Sequence, residues 1–148
     1  DNINSIAHAH PMYGKTFSTL GKTLDPISQD SCAFYERTAL FADYDGVANG
    51  ADEGINIAKA LGEKDFVILQ NHGILTTGTM VDTTIWYFLN MEDACKSQLL
   101  AEAVGKPIII PHETACATRD YVANDLSAYV SFQPTVDVLW EEEPDLLD

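Results

Sequence analysis

The segment Phe66-Val67-Ile68-Leu69-Gln70-Asn71-His72-Gly73-Ile74-Leu75-Thr76-Thr77 constrains the fold more than any other stretch of this chain. Four consecutive apolar residues flanked by polar ones read as a strand buried on both faces, because a strand wetted on one side would alternate. A short polar interruption and a second apolar run follow. They predict a hairpin, or a strand with a sharp irregularity at His72. Irregular backbone at a strand end is a place from which a ligand can be aimed inward. Asn71 and Gly73 are expected to shape this turn, the glycine allowing a backbone conformation that other residues resist.

Around this centre the chain reads as alternating short elements. Residues 4–9 are a strand candidate, and Pro11 suits the start of a helix running to Leu20 and ended by Gly21. Pro26 marks a turn, and Ser28 or Asp30 could cap a helical turn through Cys32 and Tyr35. Thr38 to Phe41 is a further strand, followed by a loop punctuated by Asp45-Gly46 and Asn49-Gly50. Ala51 to Leu61 reads as a helix, with Ile55, Ala58 and Leu61 at helical spacing. The longest helix is expected from Val81 to about Ala103. Its apolar stripe would run through Ile85, Phe88, Leu89, Cys95, Leu99 and Ala103, and Gly105 and Pro107 would end it. Thr114 to Asn124 is one more helix. From Ser127 onward no period is clear, although Val136-Asp137-Val138 could add an edge strand.

A chain of 148 residues with 46% hydrophobic side chains can bury one domain's core. The balance of 23 acidic against 8 basic residues gives a formal charge of −15, which argues against nucleic acid and against anionic membrane surfaces. Glu141, Glu142, Glu143, Asp145 and Asp148 crowd the last eight residues, so 127–148 reads as an acidic, solvated C-terminal segment. Cys32, Cys95 and Cys116 follow no Cys-x-x-Cys spacing. They read as reduced thiols packed as small hydrophobes in a cytoplasmic protein. No run of about 18 apolar residues suggests a membrane span. The chain begins without methionine, and its first strand starts within a few residues, so sequence upstream is expected.

His8 and His10 stand in Ala7-His8-Ala9-His10-Pro11. In an extended strand, residues i and i+2 project from one face, so this pair could offer two imidazoles to one cation. His72, brought in by the fold, would complete a three-histidine set, which leaves an open position on zinc for water or substrate. His112, between Pro111 and Glu113, reads as a surface histidine in a loop. Lys15 reads as solvated, with contact to an anionic substrate as the alternative.

From Ala7 to about Ala103 the sequence resembles the class II aldolase/adducin family, closest to fungal-type members. The resemblance is carried by His8-x-His10-Pro11 with a short helix after it, by Leu69-Gln70-Asn71-His72-Gly73-Ile74-Leu75 after an apolar strand, and by Glu92, Ala94, Gln98 and Leu99 on a long helix. It implies an α/β fold, a three-layer α/β/α sandwich with a largely antiparallel central sheet. It also implies a divalent metal, most often zinc, on His8, His10 and His72. The chemistry implied is that of a lyase acting on a small hydroxylated carbonyl compound, possibly a sugar phosphate, through a metal-stabilised enediolate. Epimerases, dehydratases and decarboxylases are relatives of that reaction. A homo-oligomer, commonly a tetramer, is implied as well.

Two departures qualify the resemblance. The family's acid/base glutamate and its phosphate-holding loops lie upstream of the His-x-His pair, outside this chain, so residues 1–148 correspond to the domain without its N-terminal part. The stretch where some aldolases supply a tyrosine acid reads Pro26-Ile27-Ser28-Gln29-Asp30-Ser31 and has none. Tyr35, Tyr121 and Tyr129 remain unassigned candidates. The alternative to a metal-dependent lyase is a non-catalytic, adducin-like binding or scaffold protein, or an inactive fragment of the enzyme.

Overall fold

Phe66, Val67, Ile68 and Leu69, each at most 2% exposed, form the central strand of a four-stranded mixed sheet. The computed structural model describes residues 3–43 and 51–147; the Asp45-Gly46 and Asn49-Gly50 turns lie outside them. The strands are β1 (Ser5–Ala9), β2 (Thr38–Phe41), β3 (Phe66–Leu69) and β4 (Gly73–Gly78), in the order β1-β4-β3-β2. β4 is antiparallel to both neighbours, while β2 runs parallel to β3.

Side chains of β3 point alternately to opposite faces, and each face meets a helical layer. Phe66 and Ile68, with Ile74, join Phe17 of α1 (Met12–Ser18), Tyr87, Met91 and Cys95 of α3 (Val81–Val104) and Ala128 of α5 (Asp125–Glu142). Val67 and Leu69 meet Leu61 of α2 (Ala51–Leu61), with Ile57 and Ala60 beside it. The result is the expected three-layer α/β arrangement. Each large apolar side chain sealed in this way contributes about 1.5–3 kcal/mol, which makes β3 the fixed reference for the rest of the sheet.

Element types follow the sequence closely, but helix faces do not. On α2 the expected Leu61 packs on the sheet, but Ile55 is 51% exposed and Ala58 is exposed, and Ile57 and Ala60 join Leu61 in their place. Both sets have helical spacing, so periodicity alone does not separate them. On α3 the buried set is Thr83, Thr84, Tyr87, Met91, Ala94, Cys95 and Gln98; of the expected stripe only Cys95 belongs to it, and Leu89 is 49% exposed. Polar side chains can sit inside here because they are bonded. Thr83 and Thr84 donate to the Met80 carbonyl, and the Gln98 amide exchanges hydrogen bonds with Asp25.

Residues after Ser127 correct the sequence reading more substantially. They form α5, capped by Asn124, whose Oδ1 accepts from the Ser127 amide at 3.0 Å. Val136 to Val138 are therefore helical rather than an edge strand. Only Ala128 and Phe132 of this helix are buried, and Pro134 interrupts its ladder, so no sequence period reveals it. Glu141, Glu142, Glu143 and Asp145 are exposed, as expected of a solvated end. α4 spans His112–Val122, so His112 occupies a helix's first turn rather than a loop. A 3-10 turn over Ser31–Phe34 has Asp30 at its N-cap position without a side-chain cap, and the Ser28 hydroxyl, just before it, accepts from the Ser31 amide. Cys32 and Cys95 are buried and unpaired; burial, with the Glu92 charge second, pushes the Cys95 thiol up to about 12. No helix among the described residues is long and apolar enough to cross a membrane.

Candidate metal centre

Register places His8 opposite Leu75, and residues directly opposite on paired strands share a face. Leu75 packs with the cluster under α2, so His8 projects toward that side, and His10 lies two residues on. The β3–β4 turn brings in His72. Three imidazoles converge: ring centroids are 5.1 Å apart for His8–His10, 5.0 Å for His8–His72 and 4.5 Å for His10–His72. One ring nitrogen from each lies within 4.8 Å of the other two. His8 and His10 are exposed and His72 is half-buried, so the cluster opens to solvent on one side.

The turn that carries His72 is held at successive amides. Gln70 N–H donates to the Phe41 carbonyl, Asn71 N–H to Ser18 and His72 N–H to Leu69. Asn71 adopts the left-handed conformation, with φ 58°. The expected division of labour is thus corrected. Asparagine, which tolerates that region, supplies the unusual backbone, and Gly73 supplies space. A Cβ on Gly73 would stand 2.5 Å from the Ala9 carbonyl oxygen and 3.1 Å from the His10 ring. The absence of a side chain at Gly73 lets β1 approach closely enough for His10 to meet His72.

Protonation is set by the surroundings. His8 Nδ1 lies 2.9 Å from the Ile74 carbonyl oxygen. A carbonyl only accepts, so Nδ1 carries a proton, and in the neutral ring this leaves the lone pair on Nε2. Burial, followed by the neighbouring His8 and His10, pushes His72 below the ordinary imidazole value, and the Glu53 carboxylate opposes this. Imidazole in its neutral form is the donor that zinc and similar divalent ions take.

Other residues singled out in the sequence fall elsewhere. Lys15 is exposed on α1. Tyr35 bonds to His112 at 3.1 Å, Tyr121 is 80% exposed on α4, and Tyr129 lies on α5. Glu92 has a role beyond the motif match. Its carboxylate accepts the Tyr13 and Gly14 amides and so caps α1, which starts just after His10-Pro11. The sequence signal for this was Pro11 itself, a helix start with no side-chain oxygen to satisfy the first amides.

Residues 1–99 match the family model described as Class II Aldolase and Adducin N-terminal domain. Over 145 residues the chain is 36% identical to Decarboxylase NovR of Streptomyces niveus, covering 98% of this chain and 54% of that protein. It is 35% identical over 145 residues to the 4-hydroxy-3-prenylphenylpyruvate oxygenase/4-hydroxy-3-prenylbenzoate synthase of Streptomyces roseochromogenus subsp. oscitans, covering 98% and 52%. A solved structure of L-fuculose 1-phosphate aldolase from Glaciozyma antarctica PI12 superposes with a TM-score of 0.86 at 38% identity, covering 97% of this chain and 54% of that one. The chain spans about half the length of the curated relatives it matches.

Proposed function

Because the chain belongs to the class II aldolase and adducin family, we propose that His8, His10 and His72 hold a divalent metal ion, zinc by preference, in a lyase-type site for a small hydroxylated carbonyl compound. Members of the family typically use such an ion. The observation that carries this reading is the convergence of three imidazoles, one of them already fixed as the Nε2-donor tautomer by the Ile74 carbonyl.

When bound, the ion supplies Lewis acidity, polarising a carbonyl oxygen and stabilising the negative charge that develops on it. The chain's own residues hold and orient. Ile74 and the β4 backbone set the His8 ring, Gly73 admits His10 beside His72, and the bonded turn amides keep His72 in place. Three neutral ligands would leave the ion's charge undiminished, and the solvent-facing side of the cluster is where a substrate would approach. The relatives' names span decarboxylation, oxygenation and aldol cleavage, so the assignment stops at the compound class and the role of the ion. A homo-oligomer, tetrameric by family resemblance, completes the proposal.

The test is elemental analysis of purified, dialysed protein beside the His72→Ala variant. The variant is expected to lose one equivalent of bound metal and the metal-dependent part of its thermal stability. Equal metal content in both would overturn the three-ligand assignment and favour the adducin-like binding role.

A further inference from the structure

On the surface formed by α4 and the loop before β2, a second set of donors comes together. His112 and Cys116 are four residues apart on α4 and share one helix face, and Glu36 reaches them from the loop. Cys116 Sγ lies 3.7 Å from Glu36 Oε2 and 3.8 Å from His112 Nε2; His112 Nδ1 lies 3.8 Å from Glu36 Oε1. Bonds of about 2.0–2.3 Å place neighbouring donors on a tetrahedral zinc roughly 3.3–3.8 Å apart. One ligand atom from each of the three residues lies within 4.8 Å of the other two, so modest side-chain rotation closes the triad on one ion. We propose that Glu36, His112 and Cys116 form a second divalent-cation site, of zinc type, independent of the three-histidine cluster.

The surroundings support it as an organised site. Tyr35 hydroxyl lies 3.1 Å from His112 Nδ1. Ligating histidines ordinarily engage their second nitrogen in this way, which orients the ring and leaves Nε2 to the metal. Arg119 holds Glu36 Oε2 at 3.3 Å, leaving Oε1 on the His112 side, and is itself paired with Asp120 at 2.9 Å. Glu36 keeps this position with φ at 60°, a region costly for a non-glycine residue, and the Lys64 ammonium bonds its carbonyl. One thiolate, one carboxylate and one neutral imidazole balance a divalent ion; the Cys116 proton leaves to solvent on binding. Sulfur and nitrogen donors select zinc or cobalt over magnesium or calcium, and the exposed side of the triad leaves a fourth position for water.

Cobalt titration followed by absorbance tests this directly, because only a thiolate ligand produces a thiolate-to-cobalt charge-transfer band, and the three-histidine cluster has no sulfur. The band is expected in the full chain and in His72→Ala. It should vanish in Cys116→Ser and require at least about tenfold more cobalt in His112→Ala. Each variant is first checked for folding by circular dichroism without metal, and Cys116→Ala replaces the serine variant if that chain does not fold. Absence of the band in the folded chain, or its survival when Cys116 is replaced, would overturn the proposal.

Discussion

The Glu92 carboxylate accepts a 2.5 Å hydrogen bond from the Gly14 amide, 78 positions away in the chain. Its other oxygen takes the Tyr13 amide at 2.9 Å. α1 starts behind Pro11, which has no side-chain oxygen, so the first-turn amides would otherwise lack a protein acceptor. Through this contact the longest helix fixes the direction in which the chain leaves His10.

Replacing Glu92 by alanine is therefore expected to cost about 1–2 kcal/mol, the worth of a helix cap, with Glu92→Gln retaining part of it. Urea denaturation of the three chains measures this. Metal affinity should fall along with stability, because His10 loses its anchored exit. Unchanged unfolding in the alanine variant would show that water serves those amides equally well.

Gly73→Ala should do more damage to the proposed metal centre than its size suggests. The added methyl would meet the Ala9 carbonyl at 2.5 Å, and neither strand can give way without disturbing the β1–β4 ladder. A loss of about 1–3 kcal/mol is expected from overpacking, with weaker zinc binding in a chelator competition assay. Wild-type affinity in this variant would mean that the His10–His72 approach does not depend on the glycine.

Tyr87→Phe should be neutral or stabilising although the side chain is almost fully buried. Its hydroxyl is the one buried side-chain polar atom among the described residues with no partner in good hydrogen-bonding geometry; the Arg37 guanidinium interacts with it, but burial outweighs that contact and pushes the phenol up. Removing an unsatisfied hydroxyl relieves desolvation, whereas Gln98→Leu would strand the Asp25 amide and cost about 1–3 kcal/mol. Equilibrium unfolding distinguishes the pair: a Tyr87→Phe loss as large as that of Gln98→Leu would reveal a hidden partner.

Acid sensitivity should come partly from Glu102. The hydrogen bond from the Lys22 ammonium, then that from the Gln98 amide, holds its carboxyl below the ordinary value of 4.5. A folded-state value below the unfolded one contributes stability that is fully present above 4.5 and lost as pH falls through the lowered value. Glu102→Gln should therefore flatten the stability profile on the acid side of that point, as read by denaturation midpoints from pH 6 down. A slope identical to the parent's would place the titrating group elsewhere.

Local order was legible in the sequence because it depends on near neighbours. The apolar run Phe66–Leu69 could only be a doubly buried strand, and the His8-x-His10 spacing put two imidazoles on one face wherever that strand lay. Pro11, Gly105 and the turn around Asn71 marked element ends for steric reasons that need no tertiary context. The faces of α2 and α3 were not legible. Thr83, Thr84 and Gln98 are polar by composition and buried only because Met80 and Asp25 offer them partners.

The sequence by itself determined the strands and helices up to α4, though not α5, and put His8 and His10 on one face with His72 at a turn. Tertiary structure alone decided that they meet, through a register that sets His8 against Leu75 and a glycine small enough to let β1 close on the turn. It also decided that Glu36, His112 and Cys116 share a surface. The reason is physical: periodicity and turn chemistry act over a few residues, whereas convergence depends on packing between elements 60 to 80 positions apart, where only shape and satisfied polar groups select one arrangement.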